Sequence, residues 1–119
     1  MMTTQQQVET WINHYEEAWR SVDPKQIGSL FAPDAEYHEW PYETHWLGRE
    51  AIVEGWLSRQ EWQEGGWSFE WSILMITGDT AAIRGVGTYT ELGTFENLWT
   101  LTLSDDGACQ VFRMWNNQI

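Results

Sequence analysis

Apolar positions near the amino end recur with helical spacing. Val8, Ile12, Tyr15, Trp19 and Val22 follow one another at steps of four, three, four and three, which sets them on one face of a helix. Thr4 with Gln7 three residues on has the form of a capping box, while Glu9, Glu16, Glu17 and Arg20 fall on the other face. Asp23-Pro24 ends this helix and starts a second, with Asp23 as N-cap, Pro24 in the first turn and Ile27, Leu30 and Phe31 inward. Ala32-Pro33-Asp34 is a break, and residues 35–40 then read as a strand. A loop with Pro41 follows. Gly48 precedes a third helix over residues 49–60, buried through Ile52, Val53, Trp56 and Leu57.

The second half reads as strand throughout. Trp67, Phe69, Trp71, Ile73 and Met75 alternate with Ser68, Glu70 and Ser72 over residues 67–77. Turns at Thr77-Gly78-Asp79-Thr80, at Gly93 and at Ser104-Asp105-Asp106-Gly107 set off further strands over 81–91, 94–103 and 108–116. Gly85 and Gly87, in mid-strand, predict the bend or bulge that a curved sheet needs. The order α-α-β-α-β-β-β-β describes an α+β domain over residues 1–119, with helices segregated to one side of a mostly antiparallel sheet.

Charge narrows the partners. Six Lys+Arg against 18 Asp+Glu give a net charge of −12, and so few scattered cations cannot form the patch that nucleic acid or an anionic membrane surface requires. No apolar run is long enough to span a bilayer. The opening Met-Met-Thr-Thr-Gln-Gln-Gln lacks the basic and apolar regions of a signal peptide, so a cytoplasmic location is expected. The single Cys109 excludes an internal disulfide and a thiolate zinc site. Ten tryptophans in 119 residues are the unusual feature. Indole joins a large apolar surface to one N–H donor, which suits either a heavy core or a selective ligand cavity.

Three polar side chains interrupt apolar stripes on three different elements. Tyr15 lies between Ile12 and Trp19; Glu39 follows Ala35 and Tyr37; Asn97 belongs to the stripe Phe95, Asn97, Trp99, Leu101, Leu103. A carboxylate in an apolar site has its pKa raised by desolvation toward the range useful for proton transfer. A phenol or an amide can donate to a developing oxyanion. Each also has a structural alternative: a tyrosine whose hydroxyl reaches water, a solvated glutamate at the strand's end, an asparagine bonded to backbone. His38 is the reserve base should the strand present its other face, and His38, Glu39 and His45 match no common metal-ligand spacing. Arg84 and Arg113 can pair with Glu70 or Glu91, or hold an anionic group.

The run from Tyr15 through "AWRSVDPKQIGSLFAPDAEYHEWP", then "LGREAIVEGW", then "YTELGTFENLWTLTLSDDGACQVFRMW", resembles the nuclear transport factor 2-like superfamily, within it the SnoaL-like and ketosteroid-isomerase-like branch. The resemblance implies a cone, in which a strongly curved sheet wraps around three helices and encloses a pocket. It also implies a homodimer through the sheet's outer face. The isomerase tyrosine, base and protonated aspartate fall on Tyr15, Glu39 and Asn97. Glutamate in place of aspartate carries the carboxylate outward by about 1.5 Å, and catalysis is sensitive to placement on that scale. Met114 stands where many SnoaL-like proteins carry a glutamate.

The activity so expected is acid–base chemistry α to a carbonyl (isomerisation, cyclisation or dehydration) on a cyclic, largely apolar small molecule. Glu39 moves the proton and Tyr15 and Asn97 hold the enolate oxygen; no cofactor and no metal is implied. Trp19, Tyr37, Trp40 and Trp56 are expected to line the pocket, joined from the sheet by Trp71, Trp99, Phe112 and Met114. The faces of strand 108–116 are equally mixed, so alternation leaves open which one lines it. The rivals are a binding protein for a hydrophobic metabolite and a cone plugged by its own tryptophans. A third is epoxide hydrolysis, which needs two carboxylates and an arginine around a water. The Trp-rich loop from Trp40 to Trp46 suggests a more closed pocket than a steroid requires.

Overall fold

The computed structural model describes residues 3–63 and 65–119; Met1 and Met2, which open the amino-terminal stretch considered above, and Glu64 lie outside the described residues. Helix α1 (Gln5–Ser21) has the expected capping box, in which the Thr4 hydroxyl accepts from the Gln7 N–H and the Gln7 side chain accepts from the Thr4 N–H. Its buried stripe is wider than the heptad-like spacing implied, adding Trp11 and Ala18 to Val8, Ile12, Tyr15 and Trp19. The Asp23 carboxylate accepts from the Lys25 N–H at 3.0 Å and opens α2 (Pro24–Ser29).

Strand β1 (Phe31–Trp40) begins earlier than the sequence predicts. Ala32-Pro33-Asp34 lie within it, where the register with the neighbouring strand slips between Phe31 and Glu36; a proline is tolerated at such an irregularity. The loop after Pro41 contains a short strand of its own, β2 (Thr44–Leu47), which pairs antiparallel with β1 and sets Thr44 opposite Glu39 and His45 opposite His38. Helix α3 (Arg49–Leu57) stops short of residue 60, and a 3-10 turn (Gln60–Gln63) follows. Arg49 anchors the start of α3: its Nε and Nη2 donate to the Phe31 carbonyl at 3.0 and 2.8 Å.

The remaining strands are β3 (Trp67–Thr77), β4 (Thr80–Tyr89), β5 (Gly93–Leu103) and β6 (Cys109–Gln118). They form one open six-stranded sheet in the order β2-β1-β6-β5-β4-β3. All neighbours are antiparallel except β1 and β6, so the sheet is mixed. A bulge between Ile73 and Met75 breaks the alternation of β3, which turns Ile76 inward and leaves Met75 61% exposed on the outside. The register is unbroken at Gly85, so no bulge lies there; a Cβ would collide with the Phe69 ring, and the glycine seats that ring against β4. Gly55 does the same for the Trp46 indole against α3. The three helices cover one face of the sheet, and the core between them is heavily aromatic. Among the described residues no helix is long and apolar enough to cross a membrane.

Candidate functional site

The inner face of the sheet is filled by core side chains at one end and opens at the other into a cavity of about 400 Å³. This overturns the plugged cone. Tyr15 and Trp19 reach the cavity from α1, Trp56 from α3, Tyr37 and Glu39 from β1, and Met114, Asn116 and Gln118 from β6. Trp67, Phe69, Tyr89, Phe95 and Asn97 complete the walls from β3, β4 and β5, and Tyr42, Trp62 and Leu92 stand at the rim. The volume falls in the range of small-molecule sites, and the walls have the usual make-up of many rings around a few polar groups.

Glu39 faces this space as its strand periodicity predicts, with 2% of its side chain exposed. Its apolar stripe names no partner for it; the structure gives it a cation. Arg59 Nη1 donates to Glu39 Oε1 at 2.5 Å, and Nη2 donates to the Thr44 hydroxyl at 3.0 Å. The guanidinium lies between two indoles, 4.6 Å from the ring centre of Trp46 and 4.6 Å from that of Trp62. Arg59 has no periodicity signal because α3 ends at Leu57 and the chain turns there, with the Arg59 N–H bonded to the Trp56 carbonyl. The clue available in sequence was electrostatic: a glutamate on an apolar face needs a partner. Among the described residues Glu39 is the one carboxylate lining the cavity, so the two carboxylates of an epoxide hydrolase are not assembled.

Tyr15 and Asn97 also face the cavity, so the three stripe-breaking residues share one site. Burial pushes the Tyr15 phenol well above its ordinary pKa; Tyr37, Tyr89 and Glu39 add to this and Arg59 opposes it. Tyr37 is raised likewise, by burial first and then by Glu39, against Arg59. Both are neutral donors at physiological pH. Asn97 Nδ2 donates to Asn116 Oδ1 across β5 and β6, so part of its donor capacity is used, while the pair still offers amide groups to the cavity.

Other expected residues lie elsewhere. His38 points to the outer face, where its Nδ1 meets His45 Nδ1 at 2.8 Å and its Nε2 meets Glu36 at 3.0 Å; β1 presents Glu39 inward, so His38 cannot replace it. Trp40 shares that outer face and stacks on Trp115 at 5.1 Å. Trp71 is inward but lies beside α1, its indole donating to Glu16 at 3.0 Å. Trp99 and Phe112 have no exposed surface at all: they form the floor under Tyr15, with ring centres 4.7 and 6.3 Å from it. Alternation identifies their face correctly but not their depth. The inward face of β6 is that of Phe112 and Met114, which settles the mixed strand. Arg84 pairs with Glu96 on the outer face rather than with Glu70 or Glu91. Of the loop from Trp40 to Trp46, Tyr42 alone reaches the cavity; Trp46 packs on Tyr37 and Arg59.

The model of the SnoaL-like domain matches residues 12–119, a span that holds every residue of the cavity. The chain belongs to the SnoaL-like domain family. Solved structures agree on its fold. A cystatin-like-fold protein from Methylobium petroleophilum superimposes with a TM-score of 0.78 at 16% identity, over 98% of this chain and 79% of that one. A SnoaL-like protein from Burkholderia thailandensis gives 0.77 at 18% identity, over 98% of each chain. A protein of ketosteroid-isomerase-like fold from Catenulispora acidiphila, solved with trimethylamine, gives 0.69 at 21% identity, over 94% of this chain and 85% of that one. No curated protein matches the sequence. A SnoaL-like fold of this kind serves enzymes and binding proteins alike, so the site has to carry the functional argument.

Proposed function

We propose that this SnoaL-like protein is a small-molecule enzyme that moves a proton next to a carbonyl of a cyclic, largely apolar substrate, as an isomerase, cyclase or dehydratase does. The observation that carries the reading is Glu39: a buried carboxylate at the wall of an aromatic cavity, held by Arg59 through one oxygen. Oε1 is anchored, so Oε2 is the oxygen that takes the proton, in an orientation set before substrate arrives. Glu39, held in this way, is the base. Removing a proton α to a carbonyl places charge on the carbonyl oxygen, and the Tyr15 hydroxyl and the Asn97–Asn116 amides are neutral donors available to it. The ring walls keep water from the enolate.

The test is α-proton exchange in deuterated water with a pool of cyclic ketones and enones, read by mass spectrometry beside Glu39→Gln. Exchange that the variant loses supports the mechanism. Exchange of equal rate in both proteins refutes it.

A second reading, a non-catalytic binding protein for a hydrophobic metabolite, is favoured by the same ion pair, because Arg59 also joins the end of α3 to β1 and β2. It predicts ligand affinity indifferent to Glu39→Gln. The trimethylamine held by the Catenulispora relative supports a small-ligand role for such a cavity. We further propose that two copies associate through the outer sheet face, where Leu98 is 42% and Trp115 37% exposed.

A further inference from the structure

Tyr89 was not among the residues singled out by pattern, yet its surroundings define what it can do. It ends β4 on the inner face and lines the cavity beside Phe95, whose ring centre is 5.9 Å away, and Gly87, which has no side chain. Two indoles stand behind it. Trp67 lies 6.1 Å from the Tyr89 ring, and Trp19 meets Trp67 edge-on at 6.4 Å. The indole nitrogens of Trp19 and Trp67 are buried and complete no hydrogen bond within the protein, and both residues line the cavity with Tyr89.

An indole N–H donates and never accepts, so neither tryptophan can receive the hydroxyl hydrogen of Tyr89. One phenol and two unpartnered indole donors therefore line the same cavity. Phe95 and Gly87, which stand beside Tyr89, carry no acceptor side chain. A molecule bound in the cavity can supply the acceptor that these donors lack. Among the described residues the cavity's one ion pair is internally neutral, and no other cation lines it to favour an anionic group over a neutral one.

We propose that Tyr89, backed by the indoles of Trp19 and Trp67, forms a donor subsite for a neutral acceptor oxygen (carbonyl or ether) on the ring compound this cavity binds. The proposal rests on the cavity being a ligand site, as proposed above, and adds a specificity residue to it. Burial pushes the phenol up to about 12, with Trp19 and Trp67 pulling the other way, so the hydroxyl keeps its hydrogen across the physiological range.

The experiment compares two probes of nearly equal shape, 1-tetralone and tetralin, by titration calorimetry with the wild-type protein, Tyr89→Phe, Trp19→Phe and Trp67→Phe. The wild type is expected to prefer tetralone. Tyr89→Phe should weaken tetralone binding about tenfold, the loss of about 1.4 kcal/mol, and leave tetralin binding unchanged. That unchanged tetralin affinity also reports an intact cavity. Each Trp→Phe variant should reduce the ratio of the two affinities part of the way. Equal weakening of both probes in Tyr89→Phe, no change for tetralone, or no binding of either probe to the wild type would each overturn the proposal. The test separates it from the catalytic reading: α-exchange insensitive to Glu39→Gln, together with a Tyr89-dependent preference for tetralone, would refute proton transfer and retain the subsite.

Discussion

Replacing Arg59 with methionine probes the centre of the site most directly. The variant keeps an aliphatic stem between Trp46 and Trp62 but removes the charge that faces Glu39. The pair is well buried, with 13% of the Arg59 side chain and 2% of the Glu39 side chain exposed. Solvent therefore cannot take over the carboxylate once the guanidinium is gone. Breaking a buried pair from one side costs about 3–5 kcal/mol, mostly for stranding the remaining charge. A chain of 119 residues has an unfolding entropy of about 250 cal/mol/K, so this cost corresponds to a fall in Tm on the order of 12–20 °C. The double variant Glu39→Met/Arg59→Met replaces both charges with apolar groups of similar length and should recover most of the loss, because paired removal of buried ions is close to neutral. Urea unfolding at pH 7, followed by far-ultraviolet circular dichroism, measures both. An Arg59→Met cost below about 1 kcal/mol would place the pair among solvent-screened surface bridges. A double variant no more stable than Arg59→Met would show that the loss comes from the indole stacking and not from the stranded charge. Either outcome refutes the electrostatic argument.

Stability should also fall at high pH. Burial raises the phenol of Tyr89 from 10.0 to about 12 and lifts Tyr15 and Tyr37 in the same direction, so the folded state holds these protons more tightly than the unfolded chain. Their contribution is complete below about pH 10 and is lost as the pH rises through the folded value, which urea midpoints from pH 8 to 12 will show; midpoints that stay level through pH 12 would refute it. For the outer face, Leu98→Arg should convert a dimer to a monomer in sedimentation velocity while leaving tetralone binding intact. An unchanged sedimentation coefficient would remove that face as the contact.

The secondary structure was largely legible because its causes are local. The α1 stripe, the Thr4 box, the Asp23-Pro24 start and the turns at Gly78 and Gly107 each depend on residues within one turn of one another. The exceptions are instructive. Strand β2 has too few residues to show a period, and it exists because β1 offers it an edge. No proline or glycine follows Leu57 to announce the end of α3, and the chain turns there while Arg59 is held by Glu39 and Thr44.

Periodicity alone gives the face that each side chain takes: period two on the strands and 3.6 on the helices place Tyr15, Glu39 and Asn97 on inward faces without any knowledge of their neighbours. How deep along that face each one lies, and which partner meets it, depends on the packing of separate elements. Trp99 and Phe112 share the inward face with Asn97 and Met114, yet α1 covers the first two and leaves the others to the cavity. Arg59 reaches Glu39 across a gap of 20 positions, and Trp19, Trp67 and Tyr89 converge from three elements. Periodicity is a property of one element, whereas depth and partnership depend on how separate elements pack. The chemistry of this site is of the second kind.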